Sequence, residues 1–408
     1  MITPQQAMRH VASRCVPLDA TTVPLDLALG HALAENIRTP FPLPRFDNSA
    51  MDGFAVRSHD AAAAASGKPV RLTIKSTVYA GARKGTLRSG QACRIMTGAM
   101  LPRGADAVIP VEDVLVDAGA LVIEAPVEKY RHVRRRGEEV RAGARILKKG
   151  TLIHPGVIAC LASVGRNDVL VVRRPRVAVI ATGDETVSPG GALDDGQIYD
   201  SNSHMLTAML HQMGIRPSRV RSVGDRRSAL LSAVRSALDR CDVLVTSGGV
   251  SVGEHDFLRS VFDELGVEEV FWRVSQKPGK PLYFGVRDRK YVFGLPGNPA
   301  SAFVCFYVYV YAALERLSGM EEHAGLVEEQ RAITDAFTAD GKRWLLLRGQ
   351  NRDEHTGRVI RLPRQASHMV TTLADTDCLI VVPGDGARVR RGQTLPTLRL
   401  PHAKEKHR

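Results

Sequence analysis

Between residues 175 and 319, short apolar runs alternate with amphipathic helical patterns, and this alternation constrains the fold more than any other feature. The apolar runs lie at 177–181 and 243–246, and the helical patterns at 201–213, 228–238, 257–265 and 300–317. The pattern at 282–293 indicates a hairpin. Buried strands that alternate with helices predict a mainly parallel sheet with helices on both faces. Ligands of such sheets bind beyond the carboxyl ends of the strands.

The segments on either side of this region have β-like patterns. A chain of 408 residues exceeds what one hydrophobic core usually organises, so several domains are expected. We predict a multidomain α/β plus β protein, with an N-terminal and linking domain (1–39 and 146–174), a β-rich domain (40–145), an α/β domain (175–319) and a C-terminal β-barrel-like domain (320–402). The predicted strands of the β regions are 70–76, 91–96, 107–111, 121–123, 138–146, 343–348, 359–362, 378–382 and 393–400.

The net charge of +13 indicates an anionic partner, either nucleic acid or an anionic small molecule. The densest basic run, KYRHVRRR at 129–136, is followed directly by acidic residues, and the remaining excess is scattered. No zinc-finger spacing, basic zipper or RNP aromatic motif accompanies it, so we predict no nucleic-acid partner. The six cysteines lie more than 60 residues apart, which favours buried thiols over a disulfide framework or a zinc site.

Compartment and membrane association are predicted from the apolar runs. No stretch approaches the roughly 20 apolar residues needed to cross a bilayer. The first residues lack the basic and apolar regions of a signal peptide. The sequence therefore predicts a cytoplasmic protein without a membrane partner.

Three glycine-rich turns follow predicted strands in the α/β region. They are 181–185 (ATGDE), 246–253 (TSGGVSVG) and 294–299 (GLPGNP). Glycine lets backbone amides approach an anion closely, and a helix N-terminus adds a favourable dipole. Each turn alone could be a simple strand-to-helix connection, but the three together favour a pocket for an anion or nucleotide. The candidate binding residues in these turns are Ser247, Gly248, Gly249, Ser251, Pro296, Asn298 and Pro299.

Acidic residues gather at the same predicted edge of the sheet. They are Asp184, Glu185, Asp200, Asp225, Glu254 and Asp256. Several carboxylates near the ends of adjacent strands suit Mg²⁺, which binds a few carboxylates and keeps waters that a phosphate can replace. The alternative is helix capping, particularly for Asp200, Asp225 and Asp256, which precede predicted helices.

Two lysines, Lys277 and Lys280, lie in a glycine-proline turn, QKPGKP at 276–281. Two fixed cations suit a tetrahedral oxyanion or a phosphate. The alternative is a solvated surface turn. The sequence GxxxxGK[ST] is absent, so this is not a P-loop.

Seven segments together resemble the molybdopterin molybdenumtransferase family, which includes the C-terminal domain of gephyrin. They are 46–55 (FDNSAMDGFA), 94–99 (RIMTGA), 182–185 (TGDE), 196–202 (GQIYDSN), 247–253 (SGGVSVG), 277–281 (KPGKP) and 294–299 (GLPGNP). Their order and spacing cover nearly the whole chain.

The resemblance implies a four-domain homodimer whose active site lies between the α/β domain of one subunit and the β domain of the other. It implies that adenylylated molybdopterin is hydrolysed with molybdate and a divalent cation, giving molybdenum cofactor and AMP. It also implies that other cofactor-biosynthesis proteins and recipient apoenzymes are partners. By motif matching, the β domain contributes Asp52 and Thr97, and the α/β pocket contains Glu185, Asp225, Asp256, Lys277, Lys280, Pro296 and Pro299.

Our hypothesis for the cofactor is Mg²⁺ held by some of Asp184, Glu185, Asp225 and Asp256, with the two lysines holding oxyanions. The alternatives are a molybdopterin adenylyltransferase, whose fold resembles the 175–319 region alone, and a non-catalytic pterin-binding scaffold. The sequence departs from the family pattern at Phe54, Glu139 and Arg273, where tyrosine, aspartate and lysine are expected.

Overall fold

The computed structural model describes residues 1–82, 85–250, 257–320, 324–353 and 357–403. Its α-helices are α1 (Pro4–Arg14), α2 (Pro155–Ser163), α3 (Asn202–Gln212), α4 (Arg227–Leu238), α5 (Leu258–Glu264), α6 (Pro299–Cys305) and α7 (Tyr311–Leu317), and a π-helical turn (Phe306–Val310) joins the last two.

The strands, in chain order, are β1 (Ala20–Pro24), β2 (Ile37–Arg38), β3 (Asn48–Ser49), β4 (Gly53–Val56), β5 (Val70–Val78), β6 (Gln91–Ile95), β7 (Ala107–Pro110), β8 (Leu115–Asp117), β9 (Ala120–Ile123), β10 (Val133–Arg134), β11 (Arg145–Leu147), β12 (Asp168–Val172), β13 (Val177–Thr182), β14 (Thr186–Val187), β15 (Ile198–Tyr199), β16 (Arg219–Val223), β17 (Val243–Ser247), β18 (Glu268–Trp272), β19 (Gln276–Lys277), β20 (Tyr283–Arg287), β21 (Lys290–Leu295), β22 (Glu328–Ile333), β23 (Phe337–Thr338), β24 (Trp344–Asp353), β25 (Arg358–Arg361), β26 (Cys378–Val382), β27 (Arg388–Val389) and β28 (Thr394–Arg399). They belong to two compact units, and each unit is described by itself.

The larger unit comprises Met1–Ala34, Gly150–Ile158 and Asn167–Arg408 and contains a six-stranded sheet of order β16-β13-β17-β21-β20-β18. The first four strands are parallel, and β20 and β18 are antiparallel additions at one edge. The sheet is therefore mixed, and the predicted parallel arrangement is limited to these four strands. The predicted hairpin is present as β20 and β21.

Strand β13 is buried on both faces, and its side chains alternate between two apolar clusters. Val177 and Val179 belong to one apolar cluster, which also contains residues of α3 and of the long helix 299–317. Ala178 and Ile180 belong to a second cluster, which contains residues of α4 and α5. Alternate side chains of a strand point to opposite faces, so a continuous apolar run needs a helical layer on each side.

The same unit contains a closed β-barrel. Its strands pair in the ring β24-β25-β22-β28-β26, and β26 pairs back onto β24. Closure removes the free edges of the sheet. The barrel core includes Leu345, Leu347, Val359, Ile380 and Val389. This is the β-barrel-like C-terminal region that the sequence predicts.

The smaller unit comprises Glu35–Lys149 and Ala159–Arg166 and contains a six-stranded sheet of order β7-β4-β6-β5-β9-β8. The β-rich prediction holds for most of its strands, but the predicted strand at 138–146 is wrong over 138–144. The extended pairing there is limited to an isolated antiparallel bridge between Val140 and Leu43. Turns interrupt the strand on both sides of this bridge, because Glu138 N donates to Arg135 O and Ala144 N donates to Arg141 O. Only β11 (Arg145–Leu147) is extended.

The expectation that no stretch approaches the length needed to cross a bilayer is wrong for one helix among the described residues. Pro299–Leu317 is long and apolar enough to cross a membrane, with a mean hydropathy of 1.3. Within the protein, 78% of its apolar window is buried. Core helices commonly combine this length with this composition, so the helix does not by itself indicate a membrane span.

The cysteines are free thiols, and five of them are buried, whereas Cys160 is half-buried.

A buried carboxylate joins the start of the central sheet to the preceding segment. Arg173 donates to both oxygens of Asp242, at 2.7 and 2.8 Å, and the backbone N–H of Arg176 donates at 2.8 Å. Burial alone raises the pKa of Asp242, but these hydrogen bonds outweigh it and hold the pKa well below 3.8. The ionised carboxylate therefore stabilises the folded state.

We expect Asp242→Asn to lower the free energy of unfolding by about 3 kcal/mol at pH 7, because the Arg173 guanidinium loses its counter-charge. A carboxylate whose pKa is depressed by folding stabilises above its unfolded pKa, so the difference from the native protein should shrink below about pH 4. Urea unfolding at pH 7 and pH 3 measures both effects. The control is Asp239→Asn, at an exposed carboxylate on the same connection. A difference that persists unchanged at pH 3 contradicts the explanation.

Candidate active site

The carboxyl ends of three adjacent parallel strands bring the three glycine-rich turns together. Ala181 of β13 pairs with Ser247 of β17, and Ser247 pairs in turn with Leu295 of β21. The strands therefore end level with one another, and the turns that follow them share one edge of the sheet. The structure thus places the described candidate binding residues where ligands of α/β sheets bind; they are Ser247, Gly248, Gly249, Pro296, Asn298 and Pro299.

The first two turns are packed so closely that one position requires glycine. A Cβ at Gly248 would lie 2.6 Å from Thr182 Oγ1 and 2.9 Å from Thr182 O, and the residue has a φ of +92°. Both the contact and the left-handed backbone exclude a larger residue. Gly248 N also donates to Leu295 O at 3.0 Å, which joins the second turn to the third.

Asn202 connects the second and third turns, and sequence reasoning did not assign it to the site. Its Nδ2 donates to Ser247 Oγ at 2.8 Å and to Gly297 O at 2.6 Å. Its Oδ1 is buried and has no hydrogen-bond partner among the described residues. A buried carbonyl oxygen of this kind is available to accept a hydrogen bond from a ligand. The sequence feature that could have identified Asn202 as a site residue is the motif at 196–202, which contains it.

The acidic candidates separate into different roles. Asp184 Oδ1 accepts a hydrogen bond from Asp225 N at 3.0 Å, which places these two residues side by side after β13 and β16. Glu185 follows Asp184 and is exposed. Asp200 accepts from Ser203 N at 2.9 Å and Ser203 Oγ at 2.5 Å, so it caps α3, as the capping alternative predicted. The candidates Ser251 and Asp256, and also Glu254, lie outside the described residues.

The lysine turn has both of its cationic side chains at the surface. Lys277 and Lys280 are exposed, whereas Pro278 and Gly279 between them are buried. The turn follows β19, which pairs in parallel with the barrel strand β24. Its position next to a barrel strand could not be predicted from the sequence, because the pairing joins residues almost 70 positions apart.

The third turn continues directly into a helix. Asn298 is the N-cap of α6 and Pro299 is its first residue, while Pro296 is buried. Ala300 N donates to Ser367 O at 3.0 Å, so a segment after the barrel strand β25 lies against the helix start.

Arg348, on β24, supports that segment and was missed by sequence reasoning. Its side chain is completely buried, and Nη2 donates to Arg364 O at 2.5 Å and to Ala366 O at 3.3 Å. Its Nε and Nη1 have no hydrogen-bond partner among the described residues. Burial lowers the pKa of this guanidinium below its ordinary value.

In the smaller unit, Asp52 and Thr97 form a direct pair. Asp52 Oδ1 accepts from Thr97 N at 2.7 Å and from Thr97 Oγ1 at 2.8 Å. These hydrogen bonds lower the pKa of Asp52 below 3.8. Both side chains are exposed, so an ionised carboxylate is available to a ligand. The sequence motifs at 46–55 and 94–99 therefore meet in space.

Each of the three residues that depart from the family pattern has its own contacts in the structure. Phe54 is buried in a core of the smaller unit. Glu139 is exposed, and its backbone N donates to Leu43 O at 3.0 Å. The Arg273 guanidinium lies over the Trp272 ring at 3.9 Å, so it forms a cation–π contact that a lysine would form differently.

Comparison with known proteins decides the family. Family models for the MoeA N-terminal region (domains I and II), a probable molybdopterin-binding domain and the MoeA C-terminal region (domain IV) match residues 2–165, 178–316 and 331–400. A molybdopterin molybdenumtransferase of Staphylococcus aureus is 32% identical over 393 residues, covering 96% of this chain and 94% of the relative. The chain belongs to the molybdopterin molybdenumtransferase family.

Two further relatives agree with this assignment. A molybdopterin molybdenumtransferase of Staphylococcus epidermidis is 32% identical over 398 residues, covering 97% of this chain and 95% of the relative. The crystal structure of a molybdopterin biosynthesis MoeA protein from Pyrococcus horikoshii matches with a TM-score of 0.85 at 32% identity, covering 98% of this chain and 99% of that chain. The family is one of transferases in molybdenum cofactor biosynthesis.

The carboxylates at the sheet edge fit a magnesium ion that shares its coordination with a substrate. Among the described residues, no group of three or more His, Cys, Asp or Glu side chains could hold a metal ion alone. Mg²⁺ usually binds one or two carboxylates together with waters and substrate phosphates, so it does not require such a group. Asp225 N donates to Asp184 Oδ1, so the two residues are neighbours at this edge and are candidates for that smaller donor set.

We expect Thr97→Val to raise the pKa of Asp52 towards its ordinary value, because the substitution removes the hydroxyl donor and leaves the backbone donor. The pKa of Asp52 is expected to rise because the hydrogen bonds from Thr97 favour the ionised carboxylate. Carbon-13 NMR titration of the Asp52 carboxyl measures the change. The control is Thr86→Val, elsewhere in the same unit, which should leave the titration unchanged. An unchanged pKa in Thr97→Val would show that the hydroxyl contributes nothing.

Proposed function

We propose that the protein inserts molybdate into molybdopterin that is presented as an adenylylated intermediate, with Mg²⁺-dependent hydrolysis that releases AMP and molybdenum cofactor. The observation that carries the proposal is the shared edge where β13, β17 and β21 end level with one another and where the three glycine-rich turns begin. Such an edge offers backbone amides to phosphate oxygens. The full-length similarity to molybdopterin molybdenumtransferases supports the same reaction.

The residues of the larger unit have complementary roles in this proposal. Lys277 and Lys280 hold the oxygens of molybdate or of the phosphoanhydride, since both ammonium groups are exposed on an anchored turn. The turn residues orient the pterin and its phosphate; they are Ser247, Gly248, Gly249, Ser251, Pro296, Asn298 and Pro299. Charge stabilisation of this kind accounts for most of the rate enhancement in phosphoryl chemistry.

The magnesium ion would be held by members of the set Asp184, Glu185, Asp225 and Asp256. When bound, it neutralises the charge that builds up on phosphate oxygens as the bond to AMP breaks. Glu185 and Asp225 would hold the ion and orient the water oxygen that attacks the phosphoanhydride. Asp52 contributes a fixed negative charge, and Thr97 keeps it ionised.

The protein itself contributes no thiolate to molybdenum in this mechanism, because the dithiolene sulfurs belong to the substrate. The burial of the cysteines is consistent with the absence of a thiolate ligand from the protein. Burial raises the pKa of Cys241 to about 11 and that of Cys378 to about 12. Both thiols are therefore protonated at neutral pH and poor ligands for a metal.

We further propose that the protein is a cytoplasmic homodimer of four-domain subunits, with each active site completed by the β domain of the partner. Family models that separate domains I and II, the molybdopterin-binding domain and domain IV support the four-domain division. Other cofactor-biosynthesis proteins and recipient apoenzymes are the proposed macromolecular partners. Light scattering on the purified chain measures the subunit number.

AMP release from adenylylated molybdopterin, measured with Mg²⁺ and with or without molybdate, tests the proposed reaction. Molybdate-dependent release, together with activation of a molybdenum-free apoenzyme, is the expected result. Tight pterin binding without release in either condition would instead indicate a scaffold. Formation of the adenylylated intermediate from ATP would indicate an adenylyltransferase.

A further inference from the structure

A buried polar network lies directly beneath the lysine turn. Gln276, Tyr309 and Cys305 are completely buried, and all three contact one another or the turn. Buried polar side chains carry a desolvation cost unless their hydrogen bonds are satisfied. In this network, hydrogen bonds are directed at the two backbone carbonyls between Lys277 and Lys280.

The Gln276 amide binds both of those carbonyls. Its Nε2 donates to Pro278 O at 3.2 Å and to Gly279 O at 3.3 Å. A carbonyl can only accept a hydrogen bond, so the amide nitrogen must face the turn and the amide oxygen must face away from it. The side chain therefore closes the turn from its buried side.

Tyr309 fixes the amide in this orientation. Its hydroxyl donates to Gln276 Oε1, and it belongs to the π-helical turn Phe306–Val310. Burial raises the pKa of the Tyr309 hydroxyl well above 10, so the hydroxyl remains a donor at physiological pH. π-Helical turns are uncommon and frequently occur at functional sites.

The turn also fits tightly against this network. Gly279 has a φ of +92°, and a Cβ there would lie 2.4 Å from Cys305 Sγ and 2.7 Å from Gln276 Nε2. The backbone is further held by a hydrogen bond of 3.0 Å from Val274 N to Lys280 O. The buried Pro278 and Gly279 are thus anchored, while the flanking lysines point to solvent.

We propose that Gln276, held by Tyr309, is a positioning residue that sets the spacing of the Lys277 and Lys280 ammonium groups and thereby the affinity of the site for a tetrahedral oxyanion. The inference rests on the anion-binding role proposed for these lysines. Affinity for a multiply charged oxyanion depends on two cations being held at the correct separation, and small displacements of such groups have large effects.

The test uses the full chain with the substitutions Gln276→Met and Tyr309→Phe. Met has a similar length but no donor, and Phe removes only the hydroxyl. The matched control is Tyr291→Phe, because the Tyr291 hydroxyl donates to Arg14 O at 3.2 Å in the same core cluster but does not contact the turn. Calorimetric titration with molybdate and, separately, with AMP measures the dissociation constants, and thermal unfolding measures stability.

Each of the two substitutions is expected to weaken binding of at least one anion by about tenfold. Both substitutions leave buried polar groups without a hydrogen-bond partner, so the unfolding temperature should fall further than in Tyr291→Phe, and the titrations are made below all of the unfolding temperatures. Tyr291→Phe should bind both anions as the native protein does. Tyr309 acts through Gln276, so the double substitution should bind no more weakly than Gln276→Met alone. A selective effect on molybdate or on AMP would identify which oxyanion the turn holds.

Unchanged dissociation constants in both variants, or additive effects in the double variant, would overturn the proposal. A native protein that binds neither anion would also overturn it. A native protein that binds the anions but shows no molybdate-dependent AMP release would contradict the proposed reaction and leave this inference standing. In steady-state assays, the expected change is a higher KM for molybdate, whereas loss of folded protein alone lowers the maximal rate without changing KM.

Discussion

The double substitution Lys277→Gln/Lys280→Gln is expected to lower molybdate-dependent AMP release by about a thousandfold or more. Both ammonium groups are exposed on a turn whose central residues are buried, so they meet a ligand without first rearranging the backbone. Cations held in advance near developing negative charge stabilise a transition state more than mobile cations do. Steady-state release of AMP with saturating Mg²⁺ measures the effect.

The control for the lysine prediction must remove two positive charges from the same unit without altering the turn. Arg235 and Arg240 are exposed near the end of α4, and Arg235→Gln/Arg240→Gln changes the net charge by the same amount. This control should retain nearly full activity, because long-range attraction of anions is screened at physiological salt. Equal losses in the two double variants would attribute the effect to the overall charge of +13 rather than to the turn.

The shared edge of the sheet was predictable from the sequence because each of its parts is local. A buried apolar run predicts a strand, and a glycine-rich segment after it predicts a turn, so Ser247 and Gly248 could be placed without tertiary information. The capping alternative for Asp200 was also a local pattern, and the structure bears it out. Local patterns likewise predicted the hairpin of β20 and β21.

The supporting side chains were not predictable, because their partners are distant in sequence. Asn202 bonds Ser247 and Gly297, which are 45 and 95 residues away. Gln276 and Tyr309 are 33 residues apart, and neither residue type signals a buried pair. The predicted strand at 138–144 was wrong for a different reason, since backbone turns on either side of Val140 leave only an isolated bridge to Leu43.

Gly53→Ala is expected to destabilise the smaller unit by about 3 kcal/mol or more. A Cβ at Gly53 would lie 2.0 Å from Ile109 O and 3.0 Å from Pro110 Cα, and both contacts are with backbone atoms of the paired strand β7. A flexible side chain could move aside, but backbone in a sheet cannot move without breaking the ladder between β4 and β7. Thermal and urea unfolding measure the loss.

The same substitution should also lower activity, because Gly53 is next to Asp52 and any shift of β4 moves that carboxylate away from Thr97. Gly85→Ala is the matched control in the same unit, since a Cβ at Gly85 has nothing within 4 Å and its φ lies outside the left-handed region. The control should be as stable as the native protein and fully active. If Gly53→Ala unfolds at the native temperature, β4 and β7 must tolerate a wider separation, and the identity of residue 53 is then set by a ligand rather than by the sheet.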